Sequence, residues 1–215
     1  MGFRLDRRLY TSYWEVAFFS LMVGVGETYL AAYSMVLGVK EAGAGILTVY
    51  PILFGSFLQL ASPWIEPLFK SRQHWVVACA SVQALSLFIL AAIGVSPIPT
   101  HMITILLMLI ATMYWGSALA AGPAWNAWIG NIVPTELRVR FFSERTAVAQ
   151  VLTLVGLVLA GIALQQMPDP YKRQTFVTML ALAGIFRVMS CILLSRQRYG
   201  LWPTVWALSL NVLLT

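Results

Sequence analysis

Charge is what this sequence has least of. Only 10% of its residues are Asp, Glu, Lys or Arg, against about 25% in an ordinary soluble domain, while 60% are hydrophobic and the mean hydropathy is +0.79. A water-soluble fold cannot hide that much apolar surface. Cysteine and histidine are almost as sparse, at two each. Cys79 and Cys191 fall inside apolar runs, where they read as small packing residues, and they offer neither a disulfide framework nor a metal site. His74 and His101 fall at the ends of predicted helices on opposite faces of the membrane, so they share no metal and no catalytic base. The chain carries no Gly-rich phosphate loop, nucleophile elbow, Cys-x-x-Cys pair or His-Glu-x-x-His run. These absences argue against an enzyme and against a cofactor.

What is present is a series of long apolar runs separated by charge and proline. A bilayer crossing takes roughly 20 mainly apolar residues, and the pattern predicts six helices, over 13–36, 43–62, 74–95, 101–122, 144–166 and 175–195. The fold class expected is an all-α membrane protein, a six-helix bundle over 1–198. The apolar remainder, 199–215, is too short for a full crossing and reads as an interfacial tail or the remnant of a seventh helix. The basic start of the chain precedes an apolar run too long for a signal peptide, with no small-residue cleavage site, so that run reads as a retained first helix.

The net charge of +6 does not indicate nucleic acid, because the basic residues sit in the gaps between apolar runs rather than on one soluble face. Their distribution instead predicts orientation. Arg4, Arg7, Arg8, Lys70, Arg72, Arg138, Arg140, Arg145, Arg196 and Arg198 fall on one side, against Lys40, Lys172 and Arg173 on the other. The positive-inside rule then puts both termini in the cytoplasm of a multi-pass protein of the cell (inner) membrane. The segment 123–143, with Trp125, Trp128, Pro134, Glu136, Arg138 and Arg140, reads as a connection lying at the membrane surface.

Ser12-Tyr13-Trp14-Glu15, and above all Gly122-Pro123-Ala124-Trp125-Asn126-Ala127-Trp128-Ile129-Gly130-Asn131-Ile132-Val133-Pro134 followed by Arg138, Arg140, Phe141 and Phe142, resemble a bacterial branch of the major facilitator superfamily. The resemblance runs to about Arg198 and covers the N-terminal half of the usual twelve-helix transporter. It implies alternating-access transport of a small molecule, by a half-size unit that forms a homodimer or pairs with a second six-helix half. In the family, the loop between the second and third helices carries a signature that latches the two halves. Here Glu66, Lys70 and Arg72 stand at its acidic and basic places, while Ser62, Pro67 and Phe69 depart from it. The family's proton-coupled members often carry an arginine in the fourth helix four residues before a glycine. Here Thr112 precedes Gly116, and the fifth helix reads Gly156 to Gly161 without proline. Both departures point away from proton-driven drug export.

Within the predicted helices two residues are ionisable far from any end. Glu27 costs at least roughly 2.5–3.5 kcal/mol in a bilayer unless it faces protein or water. Helical spacing puts it on a small, polar face with Ser20, Gly24, Ala31 and Ser34. It either binds substrate or carries a proton, or it is a structural carboxylate paired with another helix. Arg187 in the sixth helix is the candidate partner in a buried ion pair with Glu27, with snorkelling toward the cytoplasm as the alternative. Tyr114, Trp115 and Gln150 are candidate cavity residues. Thr146 and Thr153, with Thr48, Pro51, Gly55, Gln59 and Ser62, either line the cavity or bond between helices. Glu66, Lys70, Arg72, Asn126, Asn131, Glu136, Arg138 and Arg140 form a candidate cytoplasmic gate, the arginines reading equally well as a headgroup-binding face. Two further readings remain open: a non-transporting assembly or scaffold protein that keeps the half-fold, and an inactive transporter fragment.

Overall fold

A computed structural model describes residues 7–197, so the predicted tail at 199–215, together with Arg4 and Arg198 of the charge count, lies outside the described residues. The chain folds into helices α1 (Arg7–Val25), α2 (Leu30–Val36), α3 (Glu41–Ile65), α4 (Arg72–Val95), α5 (Thr100–Ile132), α6 (Thr135–Gln166) and α7 (Lys172–Arg196), with short 3-10 turns at Glu27–Tyr29, Glu66–Leu68 and Asp169–Tyr171. Among the described residues no strand forms, and six helical stretches are long and apolar enough to cross a membrane, α1 and α2 together making the first. The protein is a multi-pass, all-helical membrane protein. For a lipid-exposed chain the helix is the natural solution, because it satisfies its backbone hydrogen bonds within the segment.

Two boundaries differ from the sequence expectation. The segment 123–143 is not a surface connection: α5 runs through Pro123 to Ile132 and α6 starts at Thr135, so only Val133 and Pro134 stand between them. Val133 closes α5 by donating its N–H to the Ile129 carbonyl at 3.0 Å, and Arg138 Nε reaches back to the Val133 carbonyl at 3.1 Å. Pro134, in extended conformation, then launches α6. At about 1.5 Å per residue, the 33 residues of α5 and 32 of α6 exceed the roughly 30 Å hydrocarbon core. Both helices are therefore longer than one crossing needs, and the polar and aromatic residues of the hairpin ride on helices. The second difference is that the first span is broken, which shapes the site below.

The packing follows a pattern. Numbering the spans one to six, spans two and four pack together (α3 on α5), as do five and one (α6 on α1), three and four (α4 on α5), six and one (α7 on α1), and three and six (α4 on α7). Exchanging one with four, two with five and three with six maps this set of neighbours onto itself. The exchange also relates two close crossings built on glycine. At the first, α1 meets α6 with Gly24 against the backbone of Thr153 and Gly156, where a Cβ on Gly24 has no room. At the second, α3 meets α5, and a Cβ on Gly55 would stand 2.9 Å from the Trp115 carbonyl oxygen. Small residues let membrane helices approach and gain dispersion and polar contacts that lipid cannot supply. Ser62 uses the second crossing to donate to the Ala120 carbonyl at 2.7 Å, and Trp75 Nε1 donates to Ser62 Oγ at 3.1 Å.

Candidate functional site

The first span breaks at Gly26. A side chain there would collide with the methyl of Ala183, its Cβ only 2.5 Å away, so the glycine lets α1 lie tight on α7. The backbone then tightens into the 3-10 turn Glu27–Tyr29, with Tyr29 N–H donating to the Gly26 carbonyl at 3.1 Å. The loss of α-helical geometry leaves carbonyls to be satisfied, and the Thr28 hydroxyl takes one of them, donating to Val23 at 2.8 Å. Non-helical backbone at membrane depth is tolerated where protein or a water-lined cavity surrounds it. Tyr29 ties the turn to α6 by donating its hydroxyl to the Leu157 carbonyl at 2.7 Å, and Tyr33 ties α2 to α4 through the Leu90 carbonyl at 2.6 Å.

The break aims Glu27 across the bundle at α5. Tyr114, fully buried, donates its hydroxyl to Glu27 Oε2 at 2.5 Å, beside Met22 Sδ at 3.1 Å. Trp115 is half-buried and stands edge-on to Tyr114, with ring centroids 5.7 Å apart. Among the described residues Glu27 Oε1 takes no hydrogen bond or ion pair, so one carboxylate oxygen is anchored and the other is available. Such a group can accept a proton or a hydrogen-bond donor without moving. Of the predicted cavity residues the structure therefore joins Glu27, Tyr114 and Trp115. Gln150 stands exposed on α6 and makes no bond to them.

Arg187 is not bonded to Glu27, contrary to the sequence expectation. It is buried (4% exposed) and is spoken for elsewhere: one terminal nitrogen donates to Gln83 Oε1 and the other to Ser190 Oγ at 2.9 Å, while the guanidinium lies 4.9 Å from the centre of the Phe19 ring. Ser190 passes the chain on, donating to Glu15 Oε1 at 3.0 Å. Glu15 Oε2 then forms an ion pair with Arg145 at 2.7 Å, and Arg145 stacks 4.2 Å over Trp125. One buried and one partly buried cation thus share one buried carboxylate, directly or through a hydroxyl, in a network joining α1, α4, α5, α6 and α7. The physical reason for the difference is register, because Ser190 and Gln83 lie within hydrogen-bond reach of the two terminal nitrogens of Arg187 and Glu27 does not. The residue that sequence reasoning missed is Glu15, which entered only as part of the Ser12–Glu15 resemblance and was given no role. Arg145, assigned only to the cytoplasmic charge count, was missed with it.

No family model, curated protein or solved structure matches this chain.

The gate candidates are scattered. Glu66 and Arg72 form an ion pair at 2.7 Å, bracketing the turn between α3 and α4, while Lys70 is exposed. This is the one bond between two of the gate candidates among the described residues. Arg138 closes the end of α5, Arg140 pairs with Glu144 at 2.7 Å, and Asn126, Asn131 and Glu136 are exposed on the α5–α6 hairpin. Glu144 also accepts from the Tyr13 hydroxyl at 2.7 Å, which ties that hairpin to α1. The available partners for the three exposed residues are solvent, headgroups or another chain.

Proposed function

We propose that this protein is a half-size membrane transporter of the major facilitator type, moving a small molecule by alternating access together with a second six-helix half. The observation that carries the reading is the Glu27–Tyr114 contact at the break in the first span. An ionisable residue within a span marks a substrate or ion path by default, and interrupted helices are a recurring way to build midplane sites in transporters. The neighbour pattern supports it. Three helices followed by three more, inserted in the opposite sense and packed by the same rules, is the inverted repeat nested in each half of a facilitator. The contact also joins spans one and four, which the repeat relates to each other.

On this reading both termini lie in the cytoplasm of the cell membrane, the second half is a second copy or a separate chain, and Glu27 contacts the substrate or a coupling proton. The apolar and aromatic character of the spans favours an amphiphilic or apolar substrate. The Glu15 network holds span one against spans five and six while the halves rock.

A substrate-free test is available. Glu27→Cys, in a background with Cys79→Ala and Cys191→Ala, is treated in sealed vesicles with a membrane-impermeant thiol reagent applied from each face in turn. The expected result is modification from at least one aqueous face. No modification from either face, with complete modification after unfolding, removes Glu27 from any transport path.

A further inference from the structure

The deep groove between α6 and α7 is separate from the Glu27 site. These two helices scarcely touch along their length, and α1 forms the floor between them. The resulting cavity holds about 590 Å³, within the roughly 300–1,000 Å³ range of small-ligand sites. Its α6 wall runs from Gly156 through Ala160 and Ala163 to Met167, which are spaced along one helical stripe. Its deep end is closed by Leu21 and Phe186.

Polarity changes along the groove in one direction. Tyr171 and Gln174 stand at the end next to the α6–α7 connection, where Lys172 and Asp169 form an exposed ion pair at 2.6 Å. Further in, Thr175 and Thr178 turn their hydroxyls back onto their own helix, donating to the Tyr171 and Gln174 carbonyls at 3.0 Å each, so the wall there is apolar. From Gly156 to Met167 is eleven residues, or about 16 Å of helix, close to half of the roughly 30 Å hydrocarbon core. A trough of one-leaflet length, polar at the interface end and apolar toward the midplane, has the shape and polarity of a lipid tail hanging from its headgroup.

We propose that this groove is a binding site for one acyl chain of a bilayer phospholipid, with the headgroup at Tyr171 and Gln174. The site does not depend on the transport reading. Small side chains on α6 leave the space, and lipid in the adjoining leaflet enters it without leaving the membrane.

The test uses the full chain in lipid discs containing phosphatidylcholine with a diazirine partway down one acyl chain, and maps the photo-adducts by mass spectrometry. Adducts are expected to concentrate on the facing walls of α6 and α7 rather than on the exposed outer face of α3 at Val49, Leu53 and Phe57. Ala163→Trp, which fills the groove, is expected to lower groove labelling about tenfold, equivalent to about 1.4 kcal/mol. Thr178→Trp fills it from the other wall and is read if Ala163→Trp does not fold. Leu154→Trp, the same bulk on an exposed part of α6 outside the groove, is expected to leave groove labelling unchanged. Adducts spread evenly over α3, α6 and α7, or groove labelling that persists in a folded groove-filling variant, would overturn the proposal and leave only ordinary boundary lipid.

Discussion

Replacing Glu15 with alanine is expected to destabilise the protein by about 3–5 kcal/mol, the usual loss when one partner of a buried ion pair is removed. The magnitude comes from what is left behind. Arg145 and Arg187 reach the same carboxylate, one directly at 2.7 Å and one through Ser190, and both side chains are largely buried. Neither has another carboxylate among its bonded partners. Deleting Glu15 therefore leaves Arg145 without its ion-pair partner and Arg187 without the carboxylate it reaches through Ser190, with only the unbonded Glu27 still acting on it. Unfolding of the purified protein in lipid discs measures the loss. Adding Arg145→Ala to Glu15→Ala should recover part of it, because the double variant removes one orphaned charge together with its partner. If the two single losses simply add, the ion pair contributes nothing and the network is incidental packing.

Glu27→Gln is expected to have the opposite profile, with little change in stability and complete loss of transport. Glutamine keeps the size of the side chain and an oxygen able to accept from Tyr114, so the hydrogen bond at the break survives. What disappears is the negative charge and the capacity to exchange a proton. An untargeted comparison of small molecules retained by vesicles carrying the native protein, the variant or neither is the direct readout. The variant should match empty vesicles. A variant indistinguishable from the native protein would make Glu27 a structural carboxylate, whose role is to seat Tyr114 against the end of α1.

The sequence carried the membrane fold in its coarsest property, because six apolar runs in a charge-poor chain have few other solutions in water or lipid. It concealed the α5–α6 hairpin because Trp125, Asn126, Asn131 and Arg138 look like surface residues. Asn126 and Asn131 are exposed and Trp125 and Arg138 half-buried, all of them on helices longer than a bilayer crossing needs, where composition no longer distinguishes helix from loop. The break in the first span left a local trace in Gly24-Val25-Gly26-Glu27-Thr28. Two glycines ahead of an acid and a hydroxyl weaken an α-helix and supply the side chain that caps the interruption. Glu27, Tyr114 and Trp115 were legible as polar or aromatic residues at mid-span. The partner of Arg187 was not, because the choice between Glu27 and the pair Gln83 and Ser190 depends on helix rotation and depth. Those are fixed by contacts such as Gly26 on Ala183 and Gly24 on Gly156, which hydropathy does not encode.

The central claim is that these six helices work as one half of a larger transporter, and the native mass of the protein extracted from its own membrane into lipid discs tests it most directly. The account predicts a twelve-helix assembly, either two copies of this chain or this chain with a different six-helix partner. A population that is monomeric throughout, at protein concentrations matching those in the membrane, would contradict it.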